Sequence, residues 1–460
     1  MTGIPLFRFR FDGQTALGAI PGVSDEKQMY FYVDDSPIAN LLGAVLNPLH
    51  ADLVDVAAAV HIADRLAKRP VKTEVWQRRF VIEIPVRSRD VWQRRSVSDS
   101  LTDLLNFLTG DDWTIRFSSR HSERRPAELQ GVLFTPPDDA PVSVGLFSGG
   151  LDAFAGTVSA ISQDADQHFV CVSGTPNRRQ EHHQREQVAA LRDGLKPRSI
   201  TSIRVPCWLR SADETIQERS RRTRGFLFLA LGTVAAIAAG TRRLSVYENG
   251  IGAINLSYEG VPAGIPNSRA VHPRSLLLYS NLVQALTDEH FVTDNPCTFQ
   301  TKTEMCQHPS VQNLRPVVSQ TFSCDGFPVH RARKPQCGVC TSCLLRRLAL
   351  FGADMGQVDQ ATYGCDLLNP GTVPTSRLRG LFAMDWQVGR IERNLGNSSP
   401  WPNLLVEFPE LRDACDAFST LKRESLDAIQ AKIIRLYSKH CVEWACFPAR
   451  SRLHIQRKVA

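Results

Sequence analysis

Two short stretches carry residues whose types and spacing can do chemistry. Cys337-Gly338-Val339-Cys340-Thr341-Ser342-Cys343 sets three thiols in two CxxC steps, and Cys324 stands thirteen residues before the first. Four thiolates match tetrahedral zinc, and short CxxC steps let turn N–H groups point at the sulfurs. An iron–sulfur cluster uses the same soft ligands, whereas a disulfide framework fits a long chain with few cysteines poorly. A closed set of four thiolates is structural. The second stretch, Val144-Gly145-Leu146-Phe147-Ser148-Gly149-Gly150-Leu151-Asp152-Ala153, ends an apolar run in Ser-Gly-Gly at the start of a helical pattern. There the glycines admit a phosphate close to the backbone, and Ser148 adds a hydroxyl donor. Open N–H groups and the helix dipole favour the anion. A plain strand-to-helix turn would use the same tripeptide, but the apolar strand before it and Asp152 after it favour phosphate binding.

Around these stretches the hydrophobic pattern alternates strand and helix. Strands are expected at 142–147, 169–172, 200–205 and 244–247, with helices at 151–161, 180–191 and 225–239. Such alternation predicts an α/β fold with a doubly wound parallel sheet, which binds ligands beyond the carboxyl ends of its strands. Ser148 and Glu248-Asn249-Gly250 both fall there. Residues 1–138 read as a smaller α+β N-terminal domain. Its strands are expected at 7–11, 29–33, 80–86, 113–117 and 131–134, and its helices at 49–66 and 99–108, the latter capped by Ser98. A linker at 135–141 leads to the nucleotide-binding domain at 142–350, which includes the cysteine site. A helical C-terminal region follows at 351–460, clearest at 386–395 and 421–437.

Composition is that of a globular chain: 43% apolar and 22% charged over 460 residues, with a formal charge of +7. No basic-then-apolar leader pattern opens the sequence, and the apolar run 225–240 falls short of the ~20 residues of a membrane helix. A cytoplasmic protein without a membrane role is expected. Arg120, Arg124, Arg125 and the run 219–224 could meet nucleic-acid phosphates, but no RNA-binding signature accompanies them and solvated faces are favoured. His182 and His183 are expected on a helix surface, and Cys306 and His308 as ordinary residues.

The order of these features is similar to a known family. Ser148-Gly149-Gly150-Leu151-Asp152-Ala153 resembles the SGGxDS loop of PP-loop ATP pyrophosphatases, with Ala153 where the family usually has Ser. Together with Cys324…Cys337-Cys340-Cys343 and Arg346, it resembles the QueC-like 7-cyano-7-deazaguanine synthases, over about 142–347. The extra N-terminal and C-terminal regions resemble QueC-like proteins of bacterial anti-phage defence, such as the Qat system and type IV CBASS. The resemblance implies ATP, Mg²⁺ and structural Zn²⁺. It implies that Ser148, Gly149, Gly150, Leu151, Asp152 and Ala153 hold the phosphates, with Asp152 helping to hold Mg²⁺. Adenine would sit near 172–174, ending at Gly174, with Asn249 and Gly250 in the loop that sits where the family has its Gly-x-Asn. Arg224 and Lys302 would stabilise developing charge. A deazapurine carboxylate would be adenylated and passed to an amine, either ammonia or the amino terminus of a partner protein from the same defence operon. A PP-loop enzyme that activates tRNA for thiolation, and a degenerate nucleotide-binding module, are the alternatives.

Overall fold

The computed structural model describes residues 4, 6–12, 15–19, 27–43, 45–69, 77–121, 126–129, 141–211, 218, 220, 222–258, 268–326, 336–367 and 377–449. The protein is α/β. The described residues hold ten strands, β1 (Leu6–Asp12), β2 (Thr15–Ala19), β3 (Lys27–Val33), β4 (Arg79–Val86), β5 (Asp112–Ser119), β6 (Val142–Leu146), β7 (His168–Thr175), β8 (Ser199–Ser211), β9 (Arg243–Ser245) and β10 (Val292–Asp294). They form one sheet in the order β10-β9-β6-β7-β8-β3-β2-β1-β4-β5.

The half from β10 to β8 is parallel throughout. β7 is nearly continuous in buried residues, as a strand covered on both faces must be. Taken along the chain, the strand order reverses between β6 and β9, which touch at Gly145 and Ser245. The helix Leu151–Gln163 begins after β6 and the turn 246–250 follows β9, so both line the crevice of a topological switch point.

The remaining half is mixed: β3, β2 and β1 pair antiparallel, while β1, β4 and β5 run parallel. It joins the parallel half through β8. Residues 199–206 of that strand pair with β7, and 207–211 pair with β3. A strand ending at Val205 is expected from Pro206, which has no N–H to give. The strand instead runs through Pro206, because the ladder passes there from one neighbour to the other. One apolar core runs across the join, from Phe7, Phe80 and Trp113 through Val33 and Val205 to Phe226 and Leu286. The expected strand 131–134 lies outside the described residues, as does the expected linker 135–141 except for Pro141.

Two helix expectations change. The helix expected to open at Asp99 starts at Arg95, and Ser98 lies inside it, its hydroxyl donating to the Arg95 carbonyl. The single helix expected at 421–437 is two: Leu411–Lys422 stops where Arg423 turns left-handed (φ 56°), and Leu426–Cys446 begins under the Ser425 cap. These helices and Arg379–Leu395 form a second core with Ile251, Ile254, Leu344 and Leu348. No helix among the described residues is long and apolar enough to cross a membrane.

Candidate functional site

The strand β6 ends at Leu146, and Gly149 then turns the chain with φ 80°, a left-handed conformation that favours glycine. Its carbonyl accepts from Gln187 Nε2 (3.1 Å) and from the Phe322 N–H (3.3 Å), and the Ser148 carbonyl accepts from Gln184 Nε2 (3.2 Å). The bend thus has its carbonyls engaged from outside. Gly150 stands at the helix N-cap, its own N–H donating to the Ser148 hydroxyl (3.2 Å), and with no side chain there to accept from the first turn the helix start keeps the N–H groups and positive dipole end that attract an anion.

Beside this bend lies a cavity of about 380 Å³, a size that suits a small-molecule ligand. Ser148, Gly149, Gly150, Asp152, Ala153, Arg224 and Lys302 all line it. Lys302 Nζ sits 2.6 Å from Asp152 Oδ2, both side chains being about nine-tenths buried. Burial alone would lower the lysine's affinity for its proton, but Asp152 and then Glu248 outweigh it and hold the ammonium above its ordinary range. Asp152 Oδ1 accepts from Asn249 Nδ2 (2.9 Å) and more weakly from the Asn249 N–H (3.3 Å). Both oxygens of Asp152 therefore accept from protein donors, and the carboxylate is the partner of Lys302.

The other four expected ligand-binding residues stand behind the cavity wall. Leu151 points into the core with Phe147 and Phe154. Asn249 is fully buried and holds Asp152. Gly250 packs where a Cβ would strike the Thr298 carbonyl and Leu436. Gly174 leaves room for Phe228, and it is the Phe228 ring that reaches the cavity. Tyr247 fits against Gly145 and Gly156, where added Cβ atoms would collide with it, and this brings the β9 turn against the helix that carries Asp152.

Arg224 opens the helix Arg224–Ala238, with its guanidinium 5.8 Å from the centre of the Phe228 ring. The helix start is held by the N-terminal half of the chain: the Thr223 N–H and hydroxyl donate to Asp64 Oδ2 (3.3 and 2.9 Å). Asp64 in turn pairs with Arg78 (2.6 Å), fully buried. Arg222 is directed away from the cavity toward the Thr109 carbonyl, and burial followed by the nearby Arg69 pushes it down to about 10. Arg120 pairs with Asp55 inside the fold. Neither is a solvated basic face, and Arg124 and Arg125 lie outside the described residues.

Other residues at the cavity carried little signal in sequence. His183 lines it, its ring tilted on Phe322 at 4.5 Å, while His182 faces solvent and meets Glu186. Glu248, Asp325 and Tyr258 also line it. Of these, Glu248 was expected at the carboxyl end of its strand, and His183 shares a helix face with Gln180, which also lines the cavity.

The four cysteines converge. The sulfurs of Cys324, Cys337, Cys340 and Cys343 lie within 4.8 Å of one another and could bind a metal ion. Cys337 Sγ accepts from the Val339 and Cys340 N–H groups (3.5 and 3.3 Å), Cys340 Sγ from Cys343 N–H (3.4 Å), and Cys324 Sγ from Cys337 N–H (3.4 Å). Gly338, at φ 80°, makes the turn, and a Cβ there would strike the Cys365 carbonyl. Such N–H donation favours thiolates, the form a metal needs. Cys324 also lines the cavity, so the cluster stiffens one of its walls. Arg346 is buried away from the cavity, joined to Asp359 (3.1 Å) and Tyr363 (3.2 Å). Cys306 lies in the core, and His308 caps a short helix through Nδ1. No family model and no curated protein matches this chain.

Proposed function

We propose that the chain is an ATP-dependent, AMP- and pyrophosphate-forming ligase of the PP-loop type that adenylates a 7-deazaguanine carboxylate and transfers it to an amine. The observation that carries this reading is the uncapped Ser148-Gly149-Gly150 bend at the strand-order reversal, facing Lys302 and Arg224 across one cavity. Anions bind at such helix starts, and cations beside them stabilise charge that develops on phosphorus. A carboxylate oxygen would attack the α-phosphorus of ATP, and the bond to the bridging oxygen would break with pyrophosphate leaving. An amine would then displace AMP from the acyl-adenylate. Mg²⁺ would supply charge neutralisation between the phosphates, and Asp152 would hold Lys302 in place beside them.

The acceptor is an amine of a partner protein from the same anti-phage operon, as the QueC-like resemblance implies, with ammonia as the other source. Zinc is the metal proposed for the four thiolates. Thiolates ~2.3 Å from zinc at tetrahedral corners lie about 3.8 Å apart, and Cys337 and Cys343 stand at 3.9 Å. A cytoplasmic setting suits reduced thiolates.

The test is incubation with ATP, Mg²⁺ and 7-carboxy-7-deazaguanine, with and without the operon's other proteins. AMP and pyrophosphate should form only with the acid, and one neighbour should gain the mass of the acyl group. Metal analysis should find about one zinc per chain; iron would shift the assignment to a thiolation-type enzyme. Ala153, on the cavity wall where the family's serine would stand, favours a second reading, a module that only holds nucleotide. ATP binding without any turnover would select it.

A further inference from the structure

We infer that Glu248 is the acid–base group of amine transfer, taking the proton that the attacking nitrogen sheds; this rests on the adenylation reading above. Glu248 lines the cavity on the turn after β9, one of the two strands at the order reversal. Its backbone is gripped on both sides by Asn295, which donates Nδ2 to the Glu248 carbonyl (2.8 Å) and accepts from its N–H (3.4 Å). Its Oε1 accepts from Asn249 Nδ2 (2.7 Å), and the same nitrogen donates to Asp152 Oδ1. One amide therefore spaces two carboxyl groups. Gly252 is the third support, since a Cβ there would collide with Oε1.

The two carboxyl groups are treated differently. Asp152 has its cation in Lys302, whereas Glu248 forms no ion pair among the described residues and its carboxyl is held by Asn249 alone among them. Burial, and after it the charge of Asp152, pushes the Glu248 carboxyl up to about 8, with Lys302 and Asn249 working against the rise. Cys297 lies behind it, and Arg224, His183 and Asp325 face the same cavity from the other walls. Two carboxyl groups whose surroundings drive them apart mark a division of roles: one fixed charge, one proton carrier. A proton carrier is most effective when it titrates near the working pH.

The chemistry balances. The neutral amine attacks the acyl carbon, a C–N bond forms, and nitrogen carries one proton too many. Glu248 carboxylate takes that proton, the C–O bond to AMP breaks, and its electron pair leaves on the phosphate oxygen. Glu248 then returns the proton to solvent through the cavity mouth. While ATP binds, the protonated, neutral form adds no negative charge beside the phosphates.

The experiment compares two nucleophiles in the intact chain given ATP, Mg²⁺ and 7-carboxy-7-deazaguanine. Hydroxylamine is neutral at pH 7 and attacks acyl-adenylates with little help, so hydroxamate reports adenylation. Glycinamide needs its proton removed, so amide reports the full reaction. In Glu248→Gln, the ratio of amide to hydroxamate should fall about 100-fold or more. Once amide formation is divided by the free-amine fraction of glycinamide, its remaining rise with pH toward about 8 should disappear, and Glu248→Asp should recover part of both. Hydroxamate made by the Gln variant shows that it is folded. A Gln variant with the wild-type ratio and pH profile would overturn the inference while leaving adenylation standing. A wild-type chain that makes no hydroxamate would overturn the adenylation reading, and this inference with it.

Discussion

Asp152 and Lys302 are the residues on which the candidate site turns. A buried pair gains little over an apolar pair of the same shape, but removing one partner strands the other charge. Lys302→Met should therefore cost about 3–5 kcal/mol in urea unfolding. Asp152→Asn should cost a comparable amount. The double variant should be more stable than the sum of the two losses predicts, since neither charge is then left alone. Additive losses would show that the two do not act as a pair. All three variants should lose ATP-dependent acyl transfer, measured as AMP release. Ala153 bears on rate instead: Ala153→Ser restores a hydroxyl at the cavity wall, and AMP release should rise if that hydroxyl meets a phosphate.

At the scale of elements, the helix starts decide where the chemistry can sit. The Ser-Gly-Gly bend leaves its helix without a side-chain cap, as Thr223 does for the Arg224 helix, while the helices that begin at Lys302, Gly250 and Pro273 are capped by side chains. Thr301 and Glu304 form a capping box at Lys302–Gln307, and Asn249 caps the short turn after β9. His272 caps Pro273–Thr287 through Nδ1, which accepts from the Arg274 N–H (3.2 Å). That bond requires the neutral ring. Burial first, and then Arg269 and Arg274, push His272 down to about 3. A histidine depressed in the fold contributes stability that is present above its unfolded value near 6.5. That contribution is lost as pH falls from there toward about 3. His272→Asn keeps an acceptor for the Arg274 N–H and does not titrate. Its melting temperature should fall less steeply than wild type between pH 6.5 and 4; parallel curves would remove His272 from the acid response.

For the whole molecule, the site is assembled by segments far apart in sequence. Glu443, in the last helix, accepts from the hydroxyls of Thr301 (2.7 Å) and Thr303 (2.9 Å), one on each side of Lys302. Glu443→Ala leaves two buried hydroxyls without their acceptor, at about 1–3 kcal/mol, and loosens the turn that aims Lys302. It should lower AMP release as well as the melting temperature; a melting change alone would confine Glu443 to stability. From the opposite end of the chain, Asp64 holds the start of the Arg224 helix. The cysteine cluster ties 324 to 337–343 at the cavity wall. With zinc loaded at the cluster, a chelator should lower the melting temperature and expose 336–352 to hydrogen exchange, whereas the mixed half of the sheet stays protected. Uniform loss of protection would mean the metal supports the whole fold.

The sequence by itself determined what is local. Ser148-Gly149-Gly150 reads as a bend because a left-handed residue after an apolar strand is a short-range requirement, and CxxCxxC reads as a ligand set because its spacing is covalent. Strand and helix alternation over 142–247 was legible for the same reason: each period reports burial within a few residues. What only tertiary structure decided is pairing across distance. Nothing local says that Asp152 spends both oxygens on Lys302 and Asn249, that Arg222 points into the fold while Arg224 faces the cavity, or that β8 runs past Pro206 to reach β3. Glu248 was plain in sequence as part of a turn, but how its carboxyl titrates is set by which charges surround it. Coulomb and desolvation terms depend on neighbours in space, and those neighbours here lie up to hundreds of residues apart along the chain.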